Sequence, residues 1–91
     1  MEKTISILVS GKVQGVFFRQ TAKEKASLAG IHGEVRNTEE GNVLVVATGT
    51  PGQLEEFVQW CREGPPRATV TGVDVKELPY TFFAGFNIIR F

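Results

Sequence analysis

Cysteine and histidine are each present once in this 91-residue chain, as Cys61 and His32. An intrachain disulfide is thereby excluded, thiolate clusters fall away as metal sites, and no second imidazole exists to complete a histidine pair. That usage suits a reducing cytosol, and neither metal nor cofactor is expected. Charge of one sign is also lacking: ten basic and ten acidic residues cancel, so no global field draws in nucleic acid or an anionic membrane, and neither is an expected partner. No run approaches the roughly twenty apolar residues of a membrane span, and Met1-Glu2-Lys3 leads into polar-apolar alternation instead of a leader's apolar stretch. The G-x-G-x-x-G pattern and the Gly-Lys-Ser/Thr signature are missing as well, which makes NAD, ATP and GTP poor ligands for this chain. What remains is a chain with 42% hydrophobic residues, enough for one small core, read as a single domain over residues 1–91.

Along that chain, Ile5, Ile7 and Val9 alternate with Thr4, Ser6 and Ser10, the two-residue period of a strand with one buried face. Phe18, Ala22, Ala26 and Ala29 then recur at helical spacing, and Gly30 with Ile31 supplies a stop, so a helix is expected from about Phe17 to Ala29. Gly33 to Thr38 and Asn42 to Thr48 read as a hairpin turning at Glu39, Glu40 and Gly41. A second helix has clear ends, with Thr50 and Gln53 as a capping box, Pro51 in the first turn and Gly64-Pro65-Pro66 as the stop. Its apolar face is Leu54, Phe57, Val58 and Cys61. Ala68 to Lys76 reads as a strand whose inward parity changes at Gly72, the sign of a bulge, and Phe86 to Phe91 makes a short last strand. The order is β-α-β-β-α-β plus a small strand. Right-handed crossovers fold such an order into the ferredoxin-like split β-α-β sandwich, an α+β fold with an antiparallel sheet and both helices on one face.

The segment Gly11-Lys12-Val13-Gln14-Gly15-Val16-Phe17-Phe18-Arg19 carries the chemistry. A strand ends in a two-glycine turn, and a helix starts with an arginine in its first turn. Glycines let successive N–H groups point inward, the helix start adds unpaired donors and a positive dipole end, and a guanidinium adds a charged fork. This is a place for an anion, although any short glycine turn before a helix makes a weak one. The topology brings Asn37, at the end of the second strand, toward Arg19.

At these residues the chain resembles the acylphosphatase family. The resemblance rests on GKVQGVFFR at 11–19, Gly30 and Gly33, Val35-Arg36-Asn37 with Thr38, Gly41-x-Val43, Gly49, and Gly64-Pro65-Pro66 before Ala68-x-Val70. It implies metal-free hydrolysis of a small acyl phosphate to a carboxylate and inorganic phosphate. It further implies that Arg19 binds the phosphoryl group and that Asn37 positions the attacking water. The backbone N–H groups of Gln14, Gly15, Val16, Phe17, Phe18 and Arg19 would form the cradle, with Gly11 and Thr38 in support. Glu34 and Leu44 depart from common family usage, at positions with no implied catalytic role.

Other readings stay open. The same fold and cradle would also serve a non-catalytic phosphate or acyl-phosphate binding module; a chain that begins at a methionine and ends on its last strand favours a free-standing enzyme, and a monomer is expected. RNA binding would need exposed aromatics on the central strands, and Asn42 to Thr48 has none. Cys61 is expected to be an inert core thiol, Trp60 and Phe57 packing residues, His32 a plain strand-entry residue, and Glu39 and Glu40 a solvated turn.

Overall fold

The structure, a computed structural model, describes residues 1–90. Seven elements follow in order: β1 (Lys3–Lys12), α1 (Phe18–Ala29), β2 (His32–Asn37), β3 (Val43–Gly49), α2 (Pro51–Glu63), β4 (Thr69–Leu78) and β5 (Phe86–Ile89). The sheet order is β4-β1-β3-β2-β5. β1 pairs antiparallel with β3 and β4, and β2 antiparallel with β3, which is the expected split β-α-β core. The short β5 adds to the edge of β2 in parallel, a detail that the antiparallel expectation did not include. Of the stretch expected as the last strand, Phe91 lies outside the described residues.

Alternation decides which face of β1 is buried. Ile5, Ile7 and Val9 are at most 5% exposed and pack with Val43, Val45 and Ala47 of β3 under the two helices. Phe18, Ala22 and Ala26 of α1 fill the same layer, the alanines allowing the helix to lie close. α1 ends as the sequence implies: Gly30 N–H bonds to the Ser27 carbonyl at 3.2 Å and Ile31 N–H to that of Ala26 at 2.9 Å, with the Ile31 side chain buried. α2 begins with a complete capping box, in which Gln53 N–H donates to Thr50 Oγ1 at 3.3 Å and Thr50 N–H to Gln53 Oε1 at 2.9 Å. Leu54, Phe57 and Cys61 form its buried stripe.

The ring cluster behind α1 links the core to the loop that precedes this helix. Phe18 is 1% exposed, and its ring lies 5.2 Å from that of Trp60, which in turn stacks on Phe57 at 5.9 Å. Burying such a side chain stabilises by about 1.5 to 3 kcal/mol. Gly64, at the end of α2, must lack a side chain because a Cβ there would sit 3.0 Å from the Phe18 ring. Trp60 and Phe57 are therefore packing residues, as expected.

The other sheet face carries no helix. At one end it is tied to the 79–85 segment, for which the sequence offers no motif. Thr4 and Thr48 share a 2.6 Å hydrogen bond between their hydroxyls, Thr48 Oγ1 donates to the Thr81 carbonyl at 2.8 Å, and Thr81 N–H donates to Thr4 Oγ1 at 2.8 Å. That closed ring satisfies two buried hydroxyls at once. Glu34 and Leu44 point to this same face, opposite Val46 and Arg36 respectively.

Candidate active site

β1 hands the chain to the loop at its C-terminal end through a bulge. Ser10 pairs with Gly72 but Gly11 pairs with Val70, so β4 carries one extra residue, close to the expected parity change. Gly11 has φ of 122°, and a Cβ there would sit 2.2 Å from the Thr69 carbonyl oxygen. Its support is thus steric: only glycine lets the loop leave the sheet this close to β4. Beyond it the chain turns through left-handed conformations at Gly15, φ 72°, and Phe17, φ 65°. Helix α1 then starts at Phe18, one residue later than expected, with Phe17 as its half-helical entry residue.

That entry leaves donors free. Phe17 makes no side-chain cap and no acidic residue occupies the first turn, so nothing local competes with a ligand for the N–H groups or for the positive end of the dipole. The Phe17 carbonyl is already engaged, by Thr21 N–H at 3.1 Å and Thr21 Oγ1 at 2.8 Å, which fixes the first turn.

A cavity of about 430 Å³ opens over this helix start. Gly15, Phe17, Phe18 and Arg19 line it from the loop and α1, and Asn37 lines it from the end of β2, so the two side chains singled out in the sequence do meet. Gln14 and Val16 do not line it; the Gln14 side chain reaches the β2–β3 turn, and Val16 is buried in the core. Arg19 is half-buried and forms no ion pair among the described residues. Among the described residues Asn37 Oδ1 is buried and has no hydrogen-bond partner, while the residue itself lines the cavity. Thr38 sits on a second, adjoining cavity of about 390 Å³, which Arg19 and Asn37 also line. It closes the turn by donating its N–H to the Asn42 carbonyl at 2.9 Å, while its Oγ1 accepts from Asn42 N–H at 3.1 Å.

Four residues lining the main cavity escaped the sequence. Val13 and Gln20 flank the expected cradle, and Ile88 and Arg90 come from the far end of the chain, Arg90 lining both cavities. β5 places the latter two: Arg36 pairs with Ile89, so the residue after Ile89 reaches the level of Asn37. The signal that would have found them is the parallel pairing of β5 with β2.

Arg19 and Arg90 give a chain of zero net charge a locally cationic pocket. Among the described residues, none lining the main cavity carries a carboxylate, imidazole or thiol, and Glu39 lies on the second cavity. Cys61 is fully buried under α2, and burial pushes its thiol up to about 12, opposed weakly by the Arg62 charge, as befits an inert core residue. His32 is exposed at the start of β2, at the opposite end of that strand from Asn37.

Comparison with known proteins identifies the family. The model of the family described as Acylphosphatase matches residues 5–88. An acylphosphatase of Rubrobacter xylanophilus is 49% identical over 87 residues, covering 94% of this chain and 79% of that protein. One of Methylococcus capsulatus is 45% identical over 89 residues, covering 97% of each chain. The solved structure of an acylphosphatase from Coxiella burnetii superposes with a TM-score of 0.93 at 38% identity, covering 97% of this chain and 93% of that one. With a match that takes in the cradle, the Asn37 strand and β5 alike, this chain belongs to the acylphosphatase family.

Proposed function

We propose that this protein, as one domain over residues 1–91, hydrolyses the carboxyl–phosphate bond of small acyl phosphates as a cytoplasmic monomer, without metal, nucleic acid or membrane. The phosphoryl group lies on the backbone N–H groups that the cavity reaches, those of Gly15, Phe17, Phe18 and Arg19, with the Arg19 fork on its oxygens. Three equatorial oxygens carry the charge of the transition state, and preset donors stabilise it without reorganisation. The Asn37 carboxamide hydrogen-bonds the attacking water and holds it in line. As the new P–O bond forms, the bond to the acyl oxygen breaks and its electron pair leaves on the carboxylate. Carboxylic acids have a pKa of about 4, so that group departs at neutral pH without a general acid. The water's proton passes to a phosphoryl oxygen, a route consistent with a cavity lining that offers no proton acceptor among its side chains.

The observation that carries this reading is the pairing, in one cavity, of a helix-start anion cradle bearing Arg19 with Asn37. The family membership supports the reaction class. Phosphate release from acetyl phosphate, with and without a chelator, tests it. Rapid release that the chelator leaves unchanged is expected. Tight phosphate binding with no turnover would instead make the chain a binding module, and turnover lost to the chelator would overturn the metal-free route.

A further inference from the structure

The geometry points to Gln14 as a positioning residue, whose side chain sets the distance between the phosphoryl cradle and the water on Asn37. This rests on the roles proposed above for Arg19 and Asn37. Cradle and water come from separate parts of the sheet: the loop leaves β1, Asn37 ends β2, and β3 lies between those strands. The ladders connect the two strands only through β3, where Val43 pairs with both Val9 and Asn37, and they end before the loop that carries the cradle.

The Gln14 carboxamide spans that gap. Its Nε2 donates to the Thr38 carbonyl and to the Asn42 carbonyl, both at 2.9 Å. Those carbonyls face each other across the mouth of the β2–β3 turn. Thr38 follows Asn37 directly, and Asn42 precedes Val43, the residue paired with Asn37 across the ladder. The loop is thus fastened to both strands at the level of the water-holding amide. An NH₂ group suits the task because it offers two donors from one atom to two acceptors; a carboxylate has none at neutral pH and would face two carbonyl oxygens. The contact is partly buried; without it Gly41 N–H stays on the Thr38 carbonyl and Thr38 N–H on that of Asn42, so the turn keeps its own closure while the loop loses its fastening to it and is free to shift.

Displacement on the order of 1 Å in a reacting geometry costs up to about 10² in rate. Gln14→Met, which keeps the length and removes the donors, is expected to lower kcat on acetyl phosphate about 10- to 100-fold. Inhibition by inorganic phosphate should change less than about threefold, since Arg19 and the backbone donors stay on their own loop and helix. A double-mutant cycle supplies the readout that a merely structural role would not move. In an Asn37→Ala background, where no positioned water remains to misplace, Gln14→Met should cost less than about twofold. Gln14→Leu, which also removes the donors and adds no charge, replaces Met if the latter variant does not fold, with the same expected outcomes. Additive losses, a wild-type kcat, or a parallel collapse of phosphate inhibition would each overturn the role. Failure of the parent reading looks different: wild-type protein inert on acetyl phosphate, or Asn37→Ala as active as wild type.

Discussion

Replacing Asn37 with alanine should move stability and turnover in opposite directions. In the free protein the Oδ1 atom is buried without a partner, and an unsatisfied buried acceptor costs about 1 to 3 kcal/mol. Alanine removes that atom. The loss of packing is small because Asn37 is half-buried on a cavity wall, which leaves a net gain of about 1 kcal/mol, or a Tm about 4 to 8 °C higher for a domain of this size. Turnover should fall about 10²- to 10³-fold, equivalent to about 2.7 to 4 kcal/mol at about 1.36 kcal/mol per decade, the scale of losing one preorganised polar contact to the reacting atoms. KM and phosphate inhibition should stay near wild type, because the cradle and Arg19 remain. Thermal unfolding followed by circular dichroism without phosphate, beside acetyl phosphate kinetics, tests both signs. A lower Tm together with lower kcat would make Asn37 a structural residue, and a main defect in phosphate affinity would put it on the phosphoryl group instead of the water.

Arg19→Ala should abolish activity and weaken phosphate inhibition, since charge-assisted hydrogen bonds contribute about 1.5 to 3 kcal/mol each and a forked pair is lost; lysine should rescue poorly, and titration with phosphate at fixed ionic strength reads the loss. Phe17→Gly should raise stability by about 1 kcal/mol, because a left-handed conformation costs a bulky residue about 1 to 2 kcal/mol and the Phe17 ring is already 68% exposed; a higher urea midpoint at unchanged slope is the expected result. For Cys61 the folded thiol titrates near 12 and the unfolded one near 9.0, so above pH 9 the unfolded chain loses its proton first. Stability is then lost by about 1.4 kcal/mol per pH unit between those values. Urea unfolding at pH 8 and 10.5 should show that extra slope in wild type and not in Cys61→Ala.

Much of this architecture is legible in local signals. Thr50, Gln53 and Pro51 mark the start of α2 because the cap is made by neighbours in the chain, and Ile5, Ile7 and Val9 mark the buried face of β1 because a strand has period two. The meeting of Arg19 with Asn37 follows from topology once the strand order is fixed. Arg90 was illegible for the opposite reason. Its place depends on β5 running parallel to β2, a non-local pairing for which four residues carry too little pattern. The Gln14 side chain was hidden likewise, because its partners lie 24 and 28 residues away and are backbone carbonyls, which have no signature in sequence. Phe17 misled by one residue: a phenylalanine is read as helical, and its left-handed backbone is imposed by the loop.

The two outer strands also govern how this protein meets other copies of itself in a crowded solution. An open sheet offers unpaired N–H and C=O groups at each border, a template on which further chains can add and grow into fibres. Here one border is β4, bent by its bulge and bearing exposed Asp74, Lys76 and Glu77, and the other is β5, only four residues long. A strand arriving at the first would have to bury charges, and at the second it would find few bonds to make. Both borders thus disfavour the addition of a sixth strand to the five of the sheet.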